Sequence, residues 1–224
     1  MIGRLRLSPR RNTGYAPVMG SLRIIEGASD ADIAGWLEER LVSALMNTRG
    51  EVAITMPGGS TPFPILAILA KAPLNWDRIA VWPGDDRIVS EDHVASNVGR
   101  IRAALEPVGA HIVPLAEDAQ PPHFALAWLG MGNDGHIASL FPNTDPQVDD
   151  PDPVRRITPD PLPPEAPFDR LSLTIPALLE SDELLFVIRG GEKRDLFEQA
   201  AAGENDLPVA RLLGAARQPV TCFT

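Results

Sequence analysis

A single cysteine, Cys222, occurs in the 224 residues, so no disulfide can form within the chain, and this usage suits a reducing compartment. No apolar run approaches the roughly eighteen residues that a membrane span needs, so no membrane association is expected. The first twenty residues carry Arg4, Arg6, Arg10 and Arg11 but lack the apolar stretch of a secretory signal. Residues 1–20 therefore read as an N-terminal extension and 21–224 as one domain, with a cytoplasmic location expected. Four histidines show no zinc spacing, and Asp134 with His136 offers only two potential ligands, so no metal is expected. The dinucleotide fingerprint G-x-G-x-x-G is missing as well, because Gly130-Met-Gly132 runs on to Gly135 and His136. No organic cofactor is expected either. Positive charge is in the minority, at 20 Lys and Arg against 30 Asp and Glu, a net −10. That balance disfavours a non-specific nucleic-acid binder. It leaves room for a small anionic ligand, because screening over roughly 8 Å lets a few local cations outweigh a distant average.

A hydrophobic content of 44% and a charged content of 22% are ordinary for a globular protein, and the length suits one α/β domain with a sizeable core. Ser29 is a cap residue before a helix whose apolar stripe is Ile33, Trp36, Leu37, Leu41 and Leu45. Apolar runs at Glu51–Met56, Phe124–Leu129 and Asp182–Ile188 read as buried strands, and Arg78–Trp82, His111–Leu115 and Pro219–Phe223 as further strands, with a short one at Val154–Thr158. Phe168–Ile175 alternates as a strand, and helices are expected over Ile65–Lys71, Ser96–Leu105, Pro176–Glu180 and Gly190–Ala202. The proline- and aspartate-rich stretch from Thr144 to Pro167 reads as a long surface loop. Strands alternating with helices predict a three-layer α/β fold, a mostly parallel sheet flanked by helices on both faces.

Three strand–glycine junctions carry chemistry. In Pro57-Gly-Gly-Ser-Thr-Pro62, Gly58, Gly59, Ser60 and Thr61 place free backbone N–H groups and two hydroxyls at a helix N-terminus, a setting that attracts phosphate. A plain turn with a Ser/Thr cap explains the same spacing. Leu129-Gly-Met-Gly-Asn-Asp-Gly-His136 leaves a strand through three glycines and ends on a histidine, which is where ligands sit in open parallel sheets. Gly190-Gly-Glu-Lys193 is the third.

Taken whole, the string from Gly130 to Pro142 closely resembles the G-M-G-x-D-G-H-x-A-S-L-F-P signature of the 6-phosphogluconolactonases, within the larger group of glucosamine-6-phosphate isomerases and deaminases. The ending Ser139-Leu-Phe-Pro142 sets it apart from the deaminases. Gly58–Pro62 matches the family's G-G-S-T-P motif, and Asp85, Asp86 and Arg87 match D-E-R, with Asp86 one methylene shorter than the usual Glu. Ser96-Asn97 is similar to the downstream S-N, Arg170 opens the R-x-T-L-T pattern, Lys193 closes G-x-x-K, and Leu207–Ala210 resembles L-P-A. Relatives carry a longer, helix-bearing segment between Leu115 and Phe124, so one apolar sheet face is expected to lack its cover, giving self-association or modest stability.

The resemblance implies hydrolysis of 6-phospho-D-glucono-1,5-lactone to 6-phospho-D-gluconate, the second step of the oxidative pentose phosphate pathway. It implies a small phosphosugar lactone as the partner, with the oligomeric state left open. Neutral imidazole is available near pH 7, so His136 is the expected base, with Asp134 orienting it. Gly58, Gly59, Ser60, Thr61, Asp85, Arg170 and Lys193 are the expected substrate and phosphate contacts. Arg87 is assigned either to phosphate or to the lactone carbonyl. Two rivals remain: a deaminase-like sugar-phosphate isomerase, and a catalytically silent sugar-phosphate binder.

Overall fold

The computed structural model describes residues 20–161 and 167–224, so residues 1–19 of the expected extension lie outside the described residues. In chain order the elements are β1 (Leu22–Ile25), α1 (Asp30–Asn47), β2 (Val52–Met56), α2 (Pro62–Leu69), β3 (Ile79–Pro83), β4 (Asp85–Arg87), α3 (Asn97–Leu105), β5 (His111–Ile112) and β6 (Leu126–Leu129). There follow β7 (Val154–Ile157), β8 (Arg170–Leu173), α4 (Ile175–Leu179), β9 (Leu184–Val187), α5 (Gly191–Ala201), α6 (Pro208–Ala215) and β10 (Val220–Phe223). Seven strands form one sheet in the order β1-β10-β9-β6-β2-β3-β5, every neighbouring pair parallel.

The central strands are buried on both faces, which explains their unbroken apolar sequences. On one face, Ile33, Leu37 and Leu41 of α1, Ile65 and Leu66 of α2, and Val98 and Ile101 of α3 pack on Val52, Ile54, Ile79 and Val81. On the other face, Leu178, Phe197, Val209 and Leu212 from α4, α5 and α6 cover Phe124, Leu184, Phe186 and Cys222. Helix α1 starts as its sequence predicts. The Ser29 hydroxyl accepts the Asp32 N–H at 3.2 Å, and the Asp32 carboxylate accepts the Ser29 N–H at 2.9 Å, a closed capping box.

Three features differ from the expectation. Strand β1 and helix α6 are regular elements that the pattern reading leaves out, and a second sheet stands beside the first. That sheet is antiparallel, ordered β4-β8-β7, with Asp85, Asp86 and Arg87 opposite Ser172, Leu171 and Arg170. The expected bare face is also covered. Where no helix lies over β2 and β3, their residues on that side are mostly small, Ala53 and Ala80, and Val113, Leu115, Ala119 and Leu171 pack into the space. Trp82 stays half-buried there, edge-on to Phe124 at 6.4 Å.

Candidate active site

From β2 the chain moves outward to β3 and β5, whereas from β6 it moves the opposite way to β9 and β10. The carboxyl ends of β2 and β6 therefore bound the switch point of the sheet, where a crevice must open. A cleft of about 320 Å³ lies there. One wall is the β2–α2 turn, Gly58 to Pro62. Pro62 and Pro64 remove two N–H groups from the first turn of α2, and Thr61 makes no side-chain cap. Donors remain at Gly59, Ser60, Thr61 and Phe63. The turn lies so close to α3 that a Cβ on Gly58 would stand 2.0 Å from Asn97 Oδ1, which only glycine avoids.

The second sheet builds the facing wall. Arg87 and Arg170 are direct cross-strand partners and both line the cleft. Like charges so placed repel, and buried Asp85 beside them supplies the counter-charge. Burial lowers the Arg170 pKa most, Asp85 opposes that shift, and Arg87 adds to it. Asp85 is fixed by the Ser139 hydroxyl and by the Asn97 side-chain amide, which donates to the Asp85 carbonyl at 2.8 Å. Arg87 Nη1 donates to the Ala95 carbonyl at 2.9 Å and to Asn97 Oδ1 at 3.1 Å, while its buried Nε has no partner. Asp86 faces away and caps α3, its carboxylate accepting N–H groups from Asn97 at 2.6 Å and Val98 at 3.2 Å. The shorter side chain thus still reaches the helix.

Between these walls the loop after β6 presents His136. Its Nδ1 lies 2.6 Å from Asp134 Oδ1. The hydrogen bond from His136 is the main cause holding the Asp134 carboxyl below the usual carboxylate value. An ionised carboxylate only accepts, so the neutral imidazole carries its proton on Nδ1, which leaves the Nε2 lone pair for a base. A Cβ on Gly132 would lie 2.2 Å from the imidazole, so this glycine lets the ring fold against its own loop. From outside, the Val209 N–H donates to the Gly135 carbonyl at 3.1 Å, and Lys193 Nζ donates to the Met131 carbonyl at 2.9 Å. The unforeseen helix α6 is thus a prop for the histidine loop.

The cleft gathers Gly58, Gly59, Ser60, Thr61, Asp85, Arg87, His136, Arg170 and Lys193, and Asp134 stands behind His136. Sequence reasoning does not single out three contributors. Asn97 joins the Gly58 turn, Asp85 and Arg87; Ser139 links Asp85 to Arg170 at 3.5 Å; Arg189 lines the cleft while pairing with Asp30 at 2.9 Å. Asn97 and Ser139 each stand in a quoted motif, the Ser-Asn pair before α3 and the Ser-Leu-Phe-Pro ending, without a role assigned there, whereas Arg189 had no signal. Among the described residues no cluster of three or more His, Cys, Asp or Glu could hold a metal ion, and no helix is long and apolar enough to cross a membrane.

An open parallel sheet whose switch point holds a histidine–carboxylate pair between a turn rich in N–H donors and a wall carrying Arg87 and Arg170 defines the class: an α/β protein with a cleft suited to a small anion. The family model for glucosamine-6-phosphate isomerases/6-phosphogluconolactonase matches residues 28–121 and 110–221, and the chain belongs to that family. It is 34% identical over 215 residues to a 6-phosphogluconolactonase of Pseudomonas aeruginosa, covering 85% of this chain and 86% of the relative. A 6-phosphogluconolactonase of Neisseria meningitidis is 31% identical over 220 residues, with coverage of 86% and 93%. The crystal structure of the Thermotoga maritima 6-phosphogluconolactonase shares the fold, with a TM-score of 0.76 at 23% identity, covering 91% of this chain and 98% of that one.

Proposed function

We propose that the protein hydrolyses 6-phospho-D-glucono-1,5-lactone to 6-phospho-D-gluconate. The observation that carries this reading is the Asp134–His136 pair facing the phosphate-suited β2–α2 turn across a cleft of about 320 Å³. The phosphate lies on the Gly59–Thr61 donors with Arg170 and Lys193, where charge-assisted bonds to a rigid guanidinium and a compact ammonium hold a dianion. Lys193 is already anchored to the histidine loop through the Met131 carbonyl, so the phosphate and the base share one support.

His136 Nε2 takes a proton from a water molecule, and the hydroxide oxygen bonds to the lactone carbonyl carbon. The C=O electron pair moves onto oxygen, next to Arg87, which adds charge stabilisation. Collapse of this intermediate breaks the ring C–O bond, and the imidazolium returns its proton to the leaving oxygen. Asp134 stays ionised throughout and stabilises the imidazolium, as carboxylates do for other catalytic histidines. A small, charged metabolite as substrate fits work in the cytoplasm, which is part of the same proposal.

The test is to supply the lactone and, separately, glucosamine 6-phosphate. The proposal expects rapid 6-phosphogluconate formation from the first and no deamination of the second. Turnover of the amino sugar alone would assign the cleft to the isomerase branch of the family.

A further inference from the structure

The signature loop contains one aromatic residue that the chemistry above does not use. Phe141 is 9% exposed and sits outside the cleft wall. The chain turns tightly after His136. Ala138 adopts φ +49°, the Leu140 N–H donates to the Ile137 carbonyl at 2.8 Å, and Phe141 folds back beneath the imidazole. Its ring centroid lies 4.7 Å from that of His136, with the planes tilted by 42°. Against the same ring, the Arg170 guanidinium carbon lies 5.3 Å from the centroid. One aromatic ring therefore touches both the base and a cation of the opposite wall. Pro142 follows at once, at the start of a short helical turn, and fixes where the ring enters.

We propose that Phe141 is a positioning residue for the hydrolysis, the aromatic surface that holds His136 on Asp134 while also contacting the Arg170 guanidinium. The chemistry gives the ring a role beyond bulk. Once His136 has accepted a proton it is a cation, and an aromatic surface attracts a cation, so the same contact holds the imidazole before and after the transfer. A leucine of similar bulk fills the space but lacks the flat face and the quadrupole. Arg170 is also held by its strand register and by its contact with Ser139, so binding at the phosphate end should persist when the ring is removed. Without the ring the imidazole retains its bond to Asp134 and should spend less time aimed at the water.

The inference rests on the lactonase reading, so its test has one arm with turnover and one without. Phe141→Leu and Phe141→Met remove the ring, and Phe141→Tyr keeps it. The expected result is kcat lowered about tenfold in the leucine and methionine variants, with the calorimetric affinity for 6-phosphogluconate within about twofold of wild type, and near-normal kcat in the tyrosine variant. If one variant fails to fold, by its thermal melt, the remaining ring-bearing and ringless proteins still make the comparison. The second arm maps carbethoxylation of His136 by mass spectrometry without substrate. Loss of the covering ring should speed it in the ringless variants and leave the tyrosine variant at the wild-type rate. Normal kcat without the ring, or loss of affinity in place of kcat, overturns the proposal. Equal losses in all three variants reduce Phe141 to packing and overturn it too. If wild type itself does not turn over the lactone, the functional reading fails, and equal His136 reactivity in all four proteins would still be needed to reject the positioning role.

Discussion

Asp134 and Cys222 show how differently two environments treat an acid. The Asp134 carboxyl is held below its usual value, chiefly by the hydrogen bond from His136. Because the folded-state pKa is the lower one, the ionised pair contributes stability above the unfolded carboxylate value of about 3.9 and loses it as pH falls through the lowered value. Asp134→Asn should flatten the acid end of a pH–stability curve measured by urea denaturation, and lower turnover about tenfold or more. Unchanged turnover would leave Asp134 only a loop-shaping part. Burial instead pushes the Cys222 thiol up to about 12. The fully buried thiol should resist iodoacetamide at pH 8 in the folded protein and react promptly in denaturant. Prompt labelling of the native chain would contradict the packing of β10. His136 and Ser60 are legible in the sequence because glycines flag the turns that carry them. Asn97, Ser139 and Arg189 are less so, since their partners are distant in the chain and no local spacing marks the encounter.

At the level of elements, the large sheet is legible and the small one is not. Central parallel strands are continuous apolar runs, so β2, β3, β6 and β9 announce themselves. Strand β4 is Asp-Asp-Arg, three polar residues with no alternation, and only its pairing with β8 makes it a strand. This short pairing is what sets Arg87 beside Arg170. Helix α6 is read only as a Leu-Pro motif because its length and apolar face emerge once it packs on the sheet. Asp86 ties the two levels together by capping α3 from β4. Burial raises its pKa, against the pull of the N–H groups of Asn97, Val98 and Arg87. Losing a helix-capping carboxylate costs about 0.5–2 kcal/mol. Asp86→Ala should lower stability by that much in urea and reduce turnover by loosening Asn97 and Arg87, and Asp86→Asn should lose less. A midpoint unchanged by Asp86→Ala would remove the capping role.

Across the whole molecule a net charge of −10 surrounds a cleft that holds Arg87, Arg170, Arg189 and Lys193. These cations come from β4, β8 and the β9–α5 junction, so only the completed fold brings them together. Arg170→Ala or Lys193→Ala should weaken binding of 6-phosphogluconate about tenfold or more, since a charge-assisted hydrogen bond contributes roughly 1.5–3 kcal/mol. Calorimetry with gluconate as the unphosphorylated control checks it, and equal losses for both ligands would move the phosphate elsewhere. The central claim, that His136 is the base of a lactone hydrolysis in this cleft, meets its most direct test in initial rates. Wild type and His136→Ala are each given 6-phospho-D-glucono-1,5-lactone, and 6-phosphogluconate is followed with a coupled dehydrogenase against the spontaneous rate. Fast hydrolysis by wild type is expected, with a loss of about 10²–10⁴-fold in the variant and 6-phosphogluconate still bound. A variant as fast as wild type, or a wild type no faster than the spontaneous reaction, would contradict it.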